Sequence, residues 1–302
     1  MILTITLNPA VDKTCRIQEL QLGQVNRLTA TESIAGGKGV NVTKILRQFE
    51  YPVTAMGFLG GYTGKMIEET LQAMGAVCRF THINGATRVN TNILAENGCV
   101  TEILEPGPVI TEAELECFIE EYKQQLKHCE WVVMSGSVPQ GVPVTIYQSL
   151  ILLAKEQGCK VLLDTSGEAL RMGIEAVPYL IKPNQKELEW LIGRTLHEKE
   201  ALIEEAEKLL AKGIQKVLIS LGAEGLLYVD AQGAIMQPAY KVDVMNTVAC
   251  GDTVVASWCM SEAEGTERTQ AVKCATALSA ANVTTEVSAQ IPKEIYEELL
   301  TL

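Results

Sequence analysis

Apolar positions along the chain fall into two rhythms. Short unbroken apolar runs occur at 2–7, 53–58, 131–135, 160–164, 179–182 and 216–220. Such runs are the mark of strands buried on both faces. Between and after them, apolar residues recur every third or fourth position at 40–49, 63–74, 111–126, 143–157, 184–192, 199–212, 252–262, 267–283 and 292–300. That spacing gives a helix one apolar face. Strand and helix alternate over about 200 residues, which predicts a mostly parallel sheet covered by helices on both faces. Shorter strands are expected at 77–82, 226–230, 235–237 and 240–244. Two stretches break the alternation. Residues 15–20 and 27–31, around Gly23, alternate weakly and read as half-exposed strands. Residues 87–95 and 99–104 flank Asn97-Gly98, the strongest hairpin signal in the chain. These predict a small antiparallel β lid, inserted from about 12–34 and 87–105 into one α/β domain spanning 1–302.

Composition narrows the picture. A chain of 302 residues, 47% hydrophobic, can bury a sizeable core. No apolar run reaches the roughly 18–20 residues of a membrane span. The amino-terminal run lacks a basic leader and a small-residue cleavage site, so it reads as a buried strand. Nine cysteines, an odd number without a CxxC pair, fit reduced thiols in a cytoplasmic protein. The three histidines have no metal-ligand spacing. The net charge of −12 argues against nucleic acid and anionic membranes as partners. It leaves room for an anionic small substrate whose pocket supplies its own cations.

Candidate chemistry lies at strand ends and helix starts. Asn8-Pro9-Ala10-Val11-Asp12 follows the first strand, where open α/β sheets gather ligands. Gly36-Gly37-Lys38-Gly39 opens a helix, and so does Val248-Ala249-Cys250-Gly251-Asp252. Unpaired N–H groups at such starts attract anions. The first is not a Walker A loop, because Glu32 and Gly39 stand where that loop needs Gly and Ser or Thr. Arg88, Asn90 and Asn92 share one strand face that could hold a phosphate and hydroxyls, or be solvated. Thr111-x-x-Glu114 is a capping box. Asn184-x-x-Glu187 reads as another, or as a phosphate-organising segment, or as both. Asp164 reads as structural, and Asp252 alone could be a favourable first-turn acid.

Eight stretches in order carry a wider likeness: NPAVD (8–12), GGKGVNV (36–42), TRVN (87–90), SGSVPQGVP (135–143), DTSG (164–167), KPNQKE (182–187), SLGAEG (220–225) and ACGD (249–252). Together they resemble the ribokinase-like sugar kinases, the phosphofructokinase B family, in its 1-phosphofructokinase and tagatose-6-phosphate kinase branch. The resemblance implies a ribokinase-like fold and an ATP-dependent kinase acting on a phosphorylated ketohexose. Fructose 1-phosphate leads and tagatose 6-phosphate is the alternative. It implies Asp252 as general base, with Gly251 and the backbone of Ala249 and Cys250 as the anion hole. Asp12, Gly37, Lys38 and Asn41 would contact the sugar phosphate. Arg88 and Asn90 would reach it from the lid, with Ser137 in the same pocket. Lys182, Asn184 and Glu187 would organise phosphate and Mg²⁺, Glu187 indirectly. Ser220, Gly222 and Gly225 would form the ATP loop, with Asn282 beside the adenine. A homodimer through the lid is also implied.

The chain departs from the family pattern where Ala249-Cys250 replaces Gly-Ala. If position 249 needs a positive φ, alanine there is strained by about 1 kcal/mol or more. Asn92 also stands where a basic residue is usual. The altered ACGD motif supports an alternative of another class, a non-catalytic sugar-phosphate or nucleotide sensor. No GxGxxG follows a strand, which disfavours a dehydrogenase.

Overall fold

The computed structural model describes residues 1–302. Strand β1 (Ile2–Thr6) lies inside the main sheet, with every residue buried. Parallel to it on one side run β4 (Val53–Leu59) and the short β5 (Val77–Cys78), with β6 (Thr81–His82) also paired to β4. On the other side lie β9 (Trp131–Ser135), β10 (Lys160–Asp164), β11 (Leu180–Ile181) and β12 (Lys216–Ser220), all parallel. An antiparallel hairpin of β13 (Leu226–Asp230) and β14 (Gly233–Gln237) ends that edge.

Side-chain alternation splits the core into two layers. On β9, Trp131 and Val133 join one apolar cluster while Val132 and Met134 join the other. The first layer is closed by α1 (Lys38–Gln48), α2 (Gly61–Ala73), α8 (Cys250–Glu264), α9 (Arg268–Val283) and α10 (Lys293–Thr301). The second is closed by α3 (Glu112–Leu126), α4 (Ile146–Glu156), α5 (Gly167–Ile174), α6 (Gln185–Ile192) and α7 (Lys199–Ala211). Helix α8 is buried at every position from Asp252 to Ser261. Over that stretch it has no solvated face, as the run of small and apolar residues from Thr253 to Met260 allows.

A second sheet orders β3 (Ala30–Gly36), β2 (Ala10–Ile17), β7 (Arg88–Ala95) and β8 (Val100–Leu104). Both outer pairings are antiparallel, and the central β2–β7 pairing is parallel. Its first two strands differ from the local pattern. β2 starts at Ala10 instead of a turn, and β3 runs on to Gly36 instead of ending near 31. Pairing along both edges of β2 outweighs the weak alternation of its sequence. Three other expectations fail. Residues 77–82 form two short strands, 240–244 form none, and α5 was not anticipated. Helix α5 is short and carries Gly167 and Gly173, so its periodic signal is weak.

Candidate active site

The carboxyl ends of β1, β9 and β10, the starts of α1 and α8, and the inner face of the small sheet enclose a cavity of about 530 Å³. Asp12, Gly37, Lys38, Asn41, Arg88, Asn90 and Ser137, all expected on the sugar side, line it. Ala249, Cys250, Gly251 and Asp252 line its α8 side.

Asp252 sits in the first turn of α8 and is 5% exposed. Its Oδ2 accepts a hydrogen bond from Asn41 Nδ2 at 2.8 Å. Burial lifts its carboxyl, and Asp164 adds to the lift, while Lys38, Asn41 and Lys182 oppose it; the group is pushed up to about 6. Asp164, wholly buried at the end of β10, gathers two ammonium groups. Lys38 Nζ donates to both its oxygens at 3.1 Å, and Lys182 Nζ lies 3.2 Å from Oδ1. Burial pushes the Asp164 carboxyl up, but the two lysines outweigh it and hold it below its ordinary range. Burial also works against the Lys38 ammonium, and Asp164, Asp252 and Glu187 more than reverse this, so Lys38 stays charged.

The backbone beside these charges is shaped for close approach. A Cβ on Gly251 would stand 3.2 Å from Lys182 Nζ, so a side chain there would crowd the ammonium. Ala249 has φ 66° and ψ 6°, the left-handed conformation that disfavours alanine. No side chain caps this helix start, which leaves its N–H groups for an anion.

On the small sheet, Asn90 Nδ2 donates to Asp12 Oδ1 at 3.0 Å. Burial raises the Asp12 carboxyl against the pull of Asn90, Lys44 and Arg88. Arg88 donates to the carbonyls of Glu105 and Asn8 at 2.9 and 3.0 Å. Asn8 Oδ1, Asn41 Oδ1, Arg88 Nε and Asn90 Oδ1 are buried here without hydrogen-bond partners. Buried polar groups are nearly always paired, so a cluster of orphans in one cavity marks a polar ligand site.

The residues expected around a nucleotide lie elsewhere. Asn184, Ser220, Gly222, Gly225 and Asn282 do not line this cavity. Asn184 and Glu187 form a complete capping box, with Glu187 N donating to Asn184 Oδ1 at 2.9 Å and Asn184 N donating to Glu187 Oε2 at 2.8 Å. Asn184 also bridges to Ser220, joining the ends of β11 and β12. Gly222 opens a short turn with free space around it, whereas a Cβ on Gly225 would strike the Gln237 carbonyl at 2.1 Å. Asn282, expected beside an adenine, lies behind the loop that precedes α8. It is fully buried, donates to the Val248 carbonyl at 2.9 Å and accepts from Ala289 N at 3.0 Å. Both ends of its amide are spent bracing the loop that leads into α8.

Asn8, Thr165, Glu102 and Thr247 also line the cavity and had no individual role expected from the sequence, although Asn8 and Thr165 fall within the NPAVD and DTSG stretches. Asn8 and Thr165 each follow a buried strand, and that position was the available signal. Glu102 gave none, because it faces the site only through sheet pairing with Asn92. No group of three or more His, Cys, Asp or Glu side chains is arranged to hold a metal ion. No helix is long and apolar enough to cross a membrane.

Comparison with known proteins identifies the family. The profile of the pfkB family carbohydrate kinases matches residues 4–294. The chain is 36% identical to the 1-phosphofructokinase of Vibrio cholerae over 283 residues, 94% of this chain and 89% of that one. Phosphofructokinase-2 from Escherichia coli, solved in complex with potassium, superposes with a TM-score of 0.93 at 27% identity, covering 99% and 98% of the two chains. Ribokinase of Arabidopsis thaliana shares the fold, with a TM-score of 0.80 at 21% identity over 99% and 98%. The family profile along nearly the whole chain, together with 36% identity to a 1-phosphofructokinase, places this protein in the pfkB family of carbohydrate kinases.

Proposed function

We propose that this kinase transfers the γ-phosphate of ATP to fructose 1-phosphate, giving fructose 1,6-bisphosphate. The observation that carries the reading is the buried Asp252 carboxylate, fixed by Asn41 and flanked by Lys38 and Lys182. The kinship with a 1-phosphofructokinase supports the choice of acceptor. In the reaction, the acceptor hydroxyl gives its proton to Asp252 as its oxygen bonds to the γ-phosphorus. The bond from that phosphorus to the bridging oxygen breaks, and ADP leaves. A carboxyl with a pKa near 6 is ionised at neutral pH yet more basic than a surface aspartate. The uncapped N–H groups from Ala249 to Gly251 stabilise charge on the moving phosphoryl group without rearranging. Arg88 and Asn90 offer the polar side for the phosphate and hydroxyls already on the sugar.

The nucleotide fits the turn from Ser220 to Gly225 at the end of β12, where Gly222 leaves open space. Mg²⁺ is usually held by one or two carboxylates together with substrate phosphates. The Lys182–Glu187 segment suits that pattern, because Glu187 offers one carboxylate partly engaged as a helix cap. The cation would neutralise nucleotide phosphates there. We assign the four-stranded sheet the role of a lid that excludes water, with two copies pairing through it. Leu22, Val25, Val100, Ile103 and Leu104 are exposed on that part of the chain.

The test is a coupled ADP-release assay across fructose 1-phosphate, tagatose 6-phosphate and fructose 6-phosphate. Fructose 1-phosphate is expected to give the highest kcat/KM. Preference for tagatose 6-phosphate would reassign the acceptor. Binding without phosphate transfer to any of the three would make the protein a sensor.

A further inference from the structure

Lys44 is a buried lysine with no ion-pair partner, and the phosphoryl-transfer chemistry does not use it. It sits on α1, one turn beyond Asn41. Its Nζ donates to the carbonyl of Ala35 at 3.1 Å and to that of Ser288 at 3.2 Å. Burying an ammonium is expensive unless its hydrogens are used. Here backbone carbonyls from two distant segments accept two of its three hydrogens, the kind of oxygen that also holds a free monovalent cation.

The segment that Lys44 holds leads back to the anion hole. Asn246 Nδ2 donates to Ser288 Oγ at 2.8 Å and to the Glu286 carbonyl at 3.3 Å. Asn246 Oδ1 in turn accepts from Val248 N at 2.8 Å. Asn282 ties Ala289 to Val248. Gln48, one turn beyond Lys44, donates to the Ala289 carbonyl at 2.7 Å and accepts from Ile291 N at 2.9 Å. Loop 286–291 is therefore clasped by α1 on one side and grips residues 246–248 on the other. The next residue is Ala249, whose left-handed backbone must be held by its surroundings.

We propose that Lys44 is a positioning residue, a tethered cation whose ammonium locks loop 286–289 to α1 and so holds the Val248–Gly251 cradle in register with Asp252. The role concerns the phosphoryl-transfer site and rests on the kinase reading for its catalytic consequence. It adds that one helix, α1, sets both the carboxylate, through Asn41, and the anion hole, through Lys44.

The test combines Lys44→Ala, which empties the carbonyl cage, with Ser288→Ala, which cuts the link to Asn246 and leaves the cage intact. In Lys44→Ala, kcat is expected to fall roughly 10- to 100-fold, as small misplacements of reacting groups do, with KM for the sugar phosphate changed less than about threefold. Amide exchange at residues 246–251 is expected to quicken in both variants. Ammonium chloride should restore kcat and slow exchange in Lys44→Ala, while sodium chloride at equal ionic strength should not, and neither salt should rescue Ser288→Ala. Unchanged exchange at 246–251 in both variants would overturn the proposal. So would loosening in Lys44→Ala that ammonium does not reverse, which would make Lys44 ordinary packing. Should Lys44→Ala fail to fold, normal exchange and kcat in Ser288→Ala would still refute the link. Exchange decides the clamp even if the wild-type protein phosphorylates none of the sugars, an outcome that would defeat only the kinase reading.

Discussion

Burial lifts the Asp252 carboxyl to about 6, so its charge responds to pH just below neutrality. A protonated carboxyl cannot accept the hydroxyl proton. Turnover is therefore expected to rise with pH through about 6, measured as kcat/KM on the preferred sugar phosphate. Stability moves the other way. The folded pKa is raised, so protonating Asp252 favours the fold as pH falls from about 6 towards 3.8. Activity lost at pH 5.5–6 (about the midpoint of titration) with an unchanged or higher melting temperature identifies titration of a base, not unfolding. Asp252→Asn should lower kcat by about 10²- to 10⁴-fold and leave sugar binding by calorimetry nearly intact. A near-normal rate would remove Asp252 from the base role. Ala249 poses a separate question. Its φ of 66° costs an alanine roughly 1 kcal/mol, so Ala249→Gly should raise the unfolding free energy in urea by up to about that amount. A loss of stability would mean that the alanine methyl contributes packing worth more than the strain. Asp252 was legible from its motif because a helix start, a glycine and an acid adjoin in the chain. The bracing role of Asn282 was not legible, because nothing local says that a side chain binds backbone groups at 248 and 289.

Strand β10 ends in Asp164, and that one carboxylate binds the starts of two other elements' chemistry, Lys38 from α1 and Lys182 after β11. Removing one member of a buried charge cluster leaves the others uncompensated, at a cost of roughly 3–5 kcal/mol. Asp164→Asn is expected near the lower end of about 3–5 kcal/mol in denaturant unfolding, because water still reaches part of Lys38. Its pKa is depressed in the fold, so this stabilisation is present above the ordinary 3.8 and is lost as pH falls through the lower folded value. An unfolding free energy within about 0.5 kcal/mol of wild type would show that the cluster contributes no stability. The sequence suggested a structural role for Asp164, but not its partners, which sit 126 residues away at Lys38 and later at Lys182. Helix α6 was easier, since its capping box lies within four consecutive residues. The small sheet was harder. Its hairpin β7–β8 is local and was legible, while the parallel β2–β7 pairing joins residues that no turn connects.

Across the whole molecule, the cavity lies where the two sheets meet, so the small sheet supplies one wall. Its outer strand β8 leaves Val100, Ile103 and Leu104 exposed, and the loop before β3 exposes Leu22 and Val25. Apolar groups on a sheet edge favour association with another copy. Light scattering is expected to give a dimer for the wild-type protein and a monomer for Ile103→Asp combined with Val25→Asp. A monomeric wild type at tens of micromolar, where specific interfaces are normally filled, would refute pairing through this sheet.

The sequence by itself determined the alternation of strands and helices, the helix starts that can bind anions, and the ordered motifs that mark the family. These are properties of neighbouring residues, and backbone periodicity and capping act over a few positions. Only the tertiary structure decided that Asn41 holds Asp252, that Asp164 neutralises Lys38 and Lys182, and that Lys44 clasps the loop behind the cradle. Each of those joins residues far apart in the chain, and burial there strengthens their interaction and shifts their protonation, which no local pattern records.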